Sequence, residues 1–235
     1  MTKKTKITKE QACVLLADIV SLLDDGQREE LVDQLSIRSF DKNELIYNEY
    51  DEPTDLICLL QGKVKIYRNG VTGRPQIMRM VSPVGLFGYR AFFAEEKYVT
   101  SAAAFESAIV ACIPMKLIMK WLESNIALCK FFIKLLSVDL GESDMRTVSL
   151  TQKHIRGRLA EALLELRDKY GLESDGATLS IYLSREDLAN LSNMTTSNAI
   201  RTLSSFTHEE LIATDGRKIK LLQPERLMNI SIYGA

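Results

Sequence analysis

The sequence is poor in the residues that most often carry catalysis or bind metals. Its 235 residues include two histidines and one tryptophan, and its four cysteines contain no Cys-x-x-Cys pair. Neither a disulfide framework nor a zinc site is therefore predicted, and two histidines leave little for general acid-base chemistry. We expect buried, reduced thiols at the four cysteines, which are Cys13, Cys58, Cys112 and Cys129.

Common enzyme motifs are also missing. The chain has no Gly-x-Gly-x-x-Gly, no P-loop lysine, no His-Glu-x-x-His and no Gly-x-Ser-x-Gly. The adjacent acids Glu95 and Glu96 lie in a turn-like stretch, where a solvated loop is a better interpretation than a catalytic pair. These absences argue against an enzyme.

Long apolar runs and strong charge are lacking as well. No window approaches the roughly 20 continuous apolar residues that span a bilayer. The N-terminus, MTKKTKITKEQACVLLADIV, lacks the apolar core and small-residue cleavage site of a signal peptide, so a cytoplasmic protein is predicted. The net charge is −1 and the C-terminal part is balanced too, so any contact with nucleic acid must come from locally arranged charges.

The N-terminal half of the chain predicts a helix followed by a β-rich region. Thr8 and Gln11 form a capping-box pattern, and five apolar residues follow at helical spacing. Between Ser36 and Pro114 short β-prone runs alternate with glycines and prolines, which predicts a β-roll or barrel. The apolar helix residues are Leu15, Leu16, Ile19, Leu22 and Leu23, and the runs are ELIYN, DLICLL, KVKIYR, QIMRMV and AIVACI.

After Pro114 the sequence predicts one long helix, from Met115 to about residue 148. Its apolar residues follow the spacing of helices that pack side by side. They can cover the β-roll of their own chain, or they can pack against a second subunit. In a third alternative the first half of the helix covers the roll and the second half contacts the second subunit. A dimer is the favoured interpretation. The seam residues are Leu128, Phe131, Leu135, Val138 and Met145.

A second helix is predicted from about Thr151 to the natural C-cap Gly171. A domain boundary therefore falls near residues 147–152, with domains at 1–148 and 149–235. After this helix, ATLSIYL predicts a short strand, and LIATDGRKIKLL predicts a hairpin joined by Asp215-Gly216. One stripe of the helix is apolar and contains Ile155, Leu159, Leu163, Leu166 and Tyr170.

The stretch LSREDLANLSNMTTSNAIRTLSSF, residues 183–206, predicts two short helices that are rich in hydroxyl groups. Ser184 and Asp187 favour the start of the first, and a turn follows at Ser192-Asn193. Thr195 and Thr196 begin the second, where backbone N–H groups favour phosphate. The predicted inner face is Ala199, Ile200, Leu203 and Phe206, and the predicted outer face is Ser197, Arg201, Ser204 and Ser205.

Two short helices followed by a hairpin are the parts of a winged helix-turn-helix, whose second helix docks in the DNA major groove. Arg201 can offer a fork of donors to a guanine edge, whereas hydroxyls bond phosphates or bases less selectively. Arg217 and Lys218, at the hairpin tip, would reach the phosphate backbone. The alternative interpretation is a polar, solvated helix face.

With β-roll, long helix and winged helix-turn-helix in that order, nearly the whole chain resembles the Crp/Fnr family, that of the cyclic-AMP receptor protein and the fumarate-nitrate regulator. LLQGKVKIYRNG resembles the strand-Gly-strand hairpin of the family, VSPVGLFGYRAFFAEEKYVTSA its effector segment, and residues 183–206 its DNA-reading unit. The resemblance implies an α+β protein with a cyclic-nucleotide-binding-like β-roll (a jelly roll). It also implies a homodimeric bacterial transcription regulator of a two-fold-related DNA site, switchable by a small effector. RNA polymerase is the further partner that activation would require.

The resemblance also assigns roles to individual residues. Ser184, Arg185 and Thr195 resemble phosphate contacts, and Arg201 matches an arginine used at a base edge. Thr196 and Ser197 stand where familiar members carry an arginine and a glutamate, so the operator sequence cannot be carried over from them.

The effector segment departs further from the family pattern. Cyclic-AMP-binding members hold the ribose with a Gly-Glu pair and the phosphate with an Arg-Ser or Arg-Thr pair, but here Gly88 is followed by Tyr89 and Arg90. A buried phosphate without its arginine would be poorly paired, so we expect no binding of cyclic AMP in the familiar way. The remaining residues of the predicted pocket are Val99, Thr100 and Ser101 near the second pair, with Ser143 and Asp144 at the adenine positions.

The sequence also bears on other cofactors and on another class of protein. An iron-sulfur cluster needs a cysteine cluster near the N-terminus, where Cys13 stands alone. Haem remains open, because a Cys or Met ligand in the roll can replace His154 and His208, which lie in or near the DNA-binding part. The rival class is a cyclic-nucleotide-binding signalling module without DNA binding, which has no need of residues 183–222.

Overall fold

The chain folds into two compact units, which a computed structural model describes for residues 7–70 and 73–234. One unit comprises Met1–Arg68 and Met78–Leu140, and the other comprises Asn69–Ile77 and Gly141–Ala235. The predicted domain limits, 1–148 and 149–235, stay a prediction.

Ten helices and ten strands are assigned within the described residues. The helices are α1 (Lys9–Leu15), α2 (Ala17–Val20), α3 (Asp25–Gln34), α4 (Tyr89–Phe93), α5 (Met115–Leu122), α6 (Ile126–Gln152), α7 (Ile155–Tyr170), α8 (Arg185–Leu191), α9 (Thr196–His208) and α10 (Pro224–Tyr233). The strands are β1 (Ser36–Phe40), β2 (Leu45–Tyr47), β3 (Asp55–Gln61), β4 (Val64–Asn69), β5 (Pro75–Val81), β6 (Leu86–Phe87), β7 (Ser101–Ala104), β8 (Ala108–Pro114), β9 (Ile212–Asp215) and β10 (Lys218–Leu221).

Two four-stranded sheets form the predicted β-roll, in the orders β1-β8-β3-β6 and β2-β7-β4-β5. The five β-prone runs of the sequence correspond to β2, β3, β4, β5 and β8. The turn between β3 and β4 requires its glycine, because Gly62 has φ +90° and an added Cβ would lie 2.3 Å from the Ser107 carbonyl oxygen. The roll is confirmed.

The N-terminal prediction is correct at its start and wrong in its length. Thr8 accepts a hydrogen bond from the Gln11 N–H, and the Gln11 side chain accepts one from the Thr8 N–H, so the capping box is present. The apolar run does not continue as one helix, since Leu16, with ψ 21°, separates α1 from α2.

The prediction of one helix from Met115 is also wrong, because Asn125 starts a new helix. Its Oδ1 accepts a hydrogen bond from the Leu128 N–H at 2.9 Å, and its Nδ2 donates to the Leu22 carbonyl at 2.8 Å. A side chain that bonds the backbone in this way competes with a continuous helix, so α5 and α6 are separate.

The predicted seam of α6 divides into a covered part and an exposed part. Leu128 lies in the core of the first unit, and Phe131 and Leu135 pack against that core. Val138 is half exposed and Met145 is 75% exposed. The first half of the seam therefore covers the roll, as one of the alternatives predicted.

In the second unit, α7 begins later than predicted, after the N-cap His154, and ends at Gly171 with φ +74°. The predicted strand ATLSIYL is wrong: its described residues make two isolated bridges, Leu172 with Leu179 and Thr178 with Lys220. The Asp175 carboxylate explains the difference, because it accepts hydrogen bonds from two backbone N–H groups of this segment and turns it. Among the described residues, none of the helices combines the length and apolarity that crossing a membrane requires.

Candidate nucleic-acid interface

The first helix of the predicted DNA-reading unit is capped as the sequence indicates. Ser184 Oγ accepts a hydrogen bond from the Asp187 N–H at 3.0 Å and donates to the Asp187 carboxylate at 2.6 Å. Leu188 and Leu191 are buried. The turn that follows contains Asn193 at φ +49°, a left-handed conformation that asparagine tolerates.

The second helix, α9, begins where the sequence predicts it, with Thr195 as its N-cap. Thr195 Oγ1 accepts a hydrogen bond from the Asn198 N–H at 3.2 Å. Thr195, Thr196 and Ser197 are exposed to solvent. The positive end of the helix dipole lies at this exposed N-terminus, together with the hydroxyl groups of Thr196 and Ser197. This end of α9 can accept an anion such as phosphate.

The buried face of α9 differs from the predicted inner face at two positions. Ala199, Leu203 and Phe206 are buried as expected, but Ile200 is 47% exposed. Each helical residue turns about 100°, so Ile200 falls on the outer side, and the buried Thr202 takes the inner place instead. Exposed residues of the outer face are Thr196, Ser197, Ile200, Arg201, Ser204, Thr207 and His208.

Arg201 is the arginine of this outer face. Its side chain is exposed, and its Nε makes a long hydrogen bond of 3.4 Å to the Ser197 carbonyl one turn earlier. The guanidinium therefore lies along the helix toward its N-terminal end. There it can present its fork of donors to an external acceptor.

Arg185 makes a contact that the sequence did not predict. Its Nη2 donates to the Gly216 carbonyl at 3.0 Å, which ties the start of α8 to the turn of the hairpin. Its Nη1 is buried and has no hydrogen-bond partner within residues 7–70 and 73–234. In this conformation the arginine orients the hairpin, while its predicted phosphate contact stays a prediction.

The predicted hairpin is present, one residue further along than expected. Asp215 pairs with Lys218, so Gly216 and Arg217 form the turn, with Gly216 at φ +55°. Arg217 and Lys218 are exposed. The Lys218 Nζ lies 3.5 Å from Glu173 Oε2 and 5.4 Å from the centre of the Tyr182 ring, so its charge is partly engaged.

Arg156 holds α7 against the C-terminal end of α9. It donates to both carboxylate oxygens of Glu209, at 2.7 and 2.6 Å, and to Ser205 Oγ at 2.8 Å. Its guanidinium also lies 4.9 Å from the centre of the Phe206 ring. Ser205, predicted on the outer face, is therefore half-buried and bound, which corrects that assignment.

These hydrogen bonds from Arg156 and Ser205 lower the pKa of Glu209 from 4.5 to about 2. The ion pair thus stabilises the fold above about pH 4.5, and that contribution is lost as the pH falls toward 2. We expect Arg156→Ala to lower the free energy of unfolding by about 1–3 kcal/mol at pH 7. Urea unfolding from pH 7 to pH 2.5 should show the gap between wild type and variant closing in acid.

Arg167→Ala is the matched control, because this arginine of the same helix pairs with Asp168, whose side chain is 62% exposed. Its effect on unfolding should be small and vary little with pH. A gap for Arg156→Ala that stays constant down to pH 2.5 would contradict the assigned role of Glu209.

The predicted effector segment lies in the first unit, where Tyr89 takes part in a network. Gly88 caps α4 at φ +88°, and Tyr89 is buried. Its hydroxyl donates to Asp139 Oδ2 at 2.6 Å, while Arg79 Nη1 donates to Asp139 Oδ1 at 2.9 Å. Burial raises the pKa of Tyr89, and the Asp139 carboxylate raises it further, so the hydroxyl keeps its proton.

The other residues of the predicted pocket are used in several ways. Arg90 pairs with Glu96 at 3.1 Å, and Val99 is exposed. Ser101 is buried, and its Oγ donates to Asn48 Oδ1 at 2.9 Å. Thr100 is half-buried, and Ser143 and Asp144 are exposed positions of α6 that belong to the second unit. Grouping these residues into one pocket stays a prediction.

Two family models match the chain in succession. The cyclic nucleotide-binding domain matches residues 37–125, and the Crp-like helix-turn-helix domain matches residues 157–230. The second match contains α8, α9 and the β9–β10 hairpin.

Known proteins resemble the chain over most of its length. A CRP-like cAMP-activated global transcriptional regulator of Mycobacterium tuberculosis is 23% identical over 84% of this chain and 88% of its own. The anaerobic regulatory protein of Bacillus subtilis is 26% identical over 79% of each chain. The solved structure of FixK2 from Bradyrhizobium japonicum, at 21% identity, shares the fold with a TM-score of 0.76, over 83% of this chain and 96% of that one. With a cyclic nucleotide-binding domain followed by a Crp-like helix-turn-helix, this chain belongs to the Crp/Fnr family of DNA-binding transcription regulators.

Proposed function

We propose that the protein acts as a homodimer on a two-fold-related DNA site, with α9 of each subunit in the major groove. The observation that carries this proposal is the exposed outer face of α9, where Arg201 lies among hydroxyl-bearing side chains. A helix needs no such face for its own packing, since its Ala199, Leu203 and Phe206 already fill the buried side.

The proposed contacts divide into those that choose the sequence and those that fix the position. Arg201 reads a guanine edge, with Thr196 and Ser197 beside it at the start of α9. The hydroxyls and cations that contact phosphate are Ser184, Arg185, Thr195, Arg217 and Lys218. The hairpin turn supports this division, because it places Arg217 beside the carbonyl that Arg185 holds.

The long helix α6 supports the proposal of a homodimer. Besides the half that covers the roll, it carries exposed apolar residues at seven-residue intervals, the repeat by which two helices pack along each other. Leu140 is 63% exposed, and Ile133 precedes it by seven residues. A second copy of α6 would cover these side chains. Ile133 and Leu140 form one such pair, Val138 and Met145 form another, and Val148 is a further exposed apolar residue of the helix.

We also propose that any small effector differs from cyclic AMP bound in the familiar way. The relative from Mycobacterium tuberculosis is named as cAMP-activated, but here Tyr89 follows Gly88 and binds the Asp139 carboxylate. No arginine stands at Val99 or Thr100 to neutralise a phosphate. Titration calorimetry of the purified protein with cyclic AMP should show no heat of binding at micromolar ligand. Micromolar affinity at the roll would contradict this prediction.

The remaining features of the proposal follow from the DNA target. Such a protein acts by binding, without a catalytic reaction, in the bacterial cytoplasm where the chromosome lies. Transcriptional activation would need contact with RNA polymerase in addition.

A selection from random double-stranded DNA tests the proposal directly. The purified protein should enrich a two-fold-related motif, and a parallel selection with small molecules from a cell extract would show whether an effector raises the yield. Equal binding of every sequence in both selections would contradict a specific regulator and favour a signalling module without DNA readout.

A further inference from the structure

We infer that Ile200 is a further specificity-determining residue, which reads the C5-methyl group of a thymine. The inference rests on the proposed function, because it needs α9 in the major groove. It starts from the side chain that the helical pattern assigned to the core and that the structure leaves 47% exposed.

The position of Ile200 on α9 places it among the DNA-facing residues. Thr196 precedes it by four residues and Ser204 follows it by four, so all three lie in one row along the exposed side. Arg201 is the next residue. The surface groove beside Ile200 is lined largely by polar side chains, among them Arg185 and Thr207. The protein itself covers only part of the isoleucine, which is 47% exposed.

The chemistry of Ile200 limits what it can recognise. Its side chain has neither a donor nor an acceptor, so it cannot read a base through a hydrogen bond. The thymine methyl is the apolar group that base pairs present in the major groove. A donor or acceptor of another base facing Ile200 would lose its water without gaining a partner. The residue therefore favours thymine within one or two base pairs of the guanine that Arg201 contacts.

The expected size of the effect is modest and measurable. Burial of one methyl-sized group is worth about 0.8 kcal/mol, which is about fourfold in affinity for one half-site. If both half-sites contribute independently, the effect on a two-fold operator is about fifteenfold. Single exposed apolar residues are common on proteins, so a control is needed. Ile232 of α10, which is 56% exposed, provides it.

The test removes only the methyl group. In the operator found by selection, each thymine of a half-site is replaced in turn by deoxyuridine, symmetrically in both half-sites, and affinity is measured by gel shift. The wild type and Ile232→Ala should lose about fifteenfold at one position. Ile200→Ala should bind the thymine and deoxyuridine forms of that position equally. Alanine is a better helix former than isoleucine, so this variant should keep α9 intact.

Three outcomes would overturn the inference. Wild-type protein could bind every deoxyuridine operator as well as the thymine operator, or Ile200→Ala could keep the full preference for thymine. In either case specific DNA binding itself would stand. Absence of any sequence preference in the wild type would be a different failure, that of the proposed function, and the inference would be overturned with it.

Discussion

Arg201→Ala is expected to lower affinity for the selected operator by about 5- to 150-fold per half-site, the range for loss of one bidentate arginine-guanine contact. Affinity for random DNA should change little, because Arg201 is proposed to contact a base edge, while other residues contact phosphate. Gel shifts against operators that vary at each position should show relaxed preference at one base pair per half-site. Arg201→Lys should recover little of the preference, since lysine keeps the charge and loses the planar fork.

Arg217→Ala is the matched control for this result. Arg217 is exposed at the hairpin turn and is proposed to contact phosphate. Its removal should weaken specific and random DNA alike, and should flatten the dependence of affinity on salt by about one counterion per half-site. Base preference lost with Arg217→Ala and retained with Arg201→Ala would reverse the proposed roles of these two arginines.

Local signals made much of this fold predictable. The capping box at Thr8, the caps at Ser184 and Thr195, and the C-cap glycine of α7 each depend on residues within a few positions of one another. The sequence carries such signals directly. The order of β-roll, long helix and helix-turn-helix followed from them together.

The sequence-based predictions were wrong where a local sequence pattern is compatible with two structures. Ile200 follows Ala199 by 100° and lies at the edge of the apolar stripe, so spacing alone places it on either face. Asn125 is compatible with a helix interior, and it becomes a cap here because Leu22, 103 residues earlier, accepts its amide hydrogen bond. For Asn125 a tertiary contact decided the outcome.

The contacts that organise the sites could not be predicted from the sequence, because their partners are far apart in the chain. Arg156 and Glu209 are 53 residues apart, and Tyr89 and Asp139 are 50 apart. Charged residues separated by such distances are common in any sequence. The residues next to a charged side chain do not indicate whether it binds a distant partner or is solvated. The residues that we propose to contact DNA could be grouped from the sequence, because α9 holds most of them within a few turns.

Leu140→Glu is expected to separate the proposed dimer and to reduce affinity for the full operator by about 10²–10⁴-fold, the gain that linking two binding units gives. In a dimer that packs along α6, Leu140 would be covered by the partner copy, and a glutamate there would bury a carboxylate without a partner. Sedimentation velocity should show monomers at concentrations where the wild type is dimeric. Affinity for DNA carrying a single half-site should be unchanged, because α9 and the hairpin lie outside the substituted surface.

Ser124→Glu provides the control, since Ser124 is an exposed residue just before α6 and lies outside the apolar face of that helix. It adds the same charge, and the protein should remain dimeric with wild-type affinity for the full operator. Ile133→Glu, seven residues before Leu140, should repeat the effect of Leu140→Glu. If both glutamate variants of the apolar face stay dimeric, the subunits do not meet through this face of α6. The spacing of the half-sites would then have to be set by another surface.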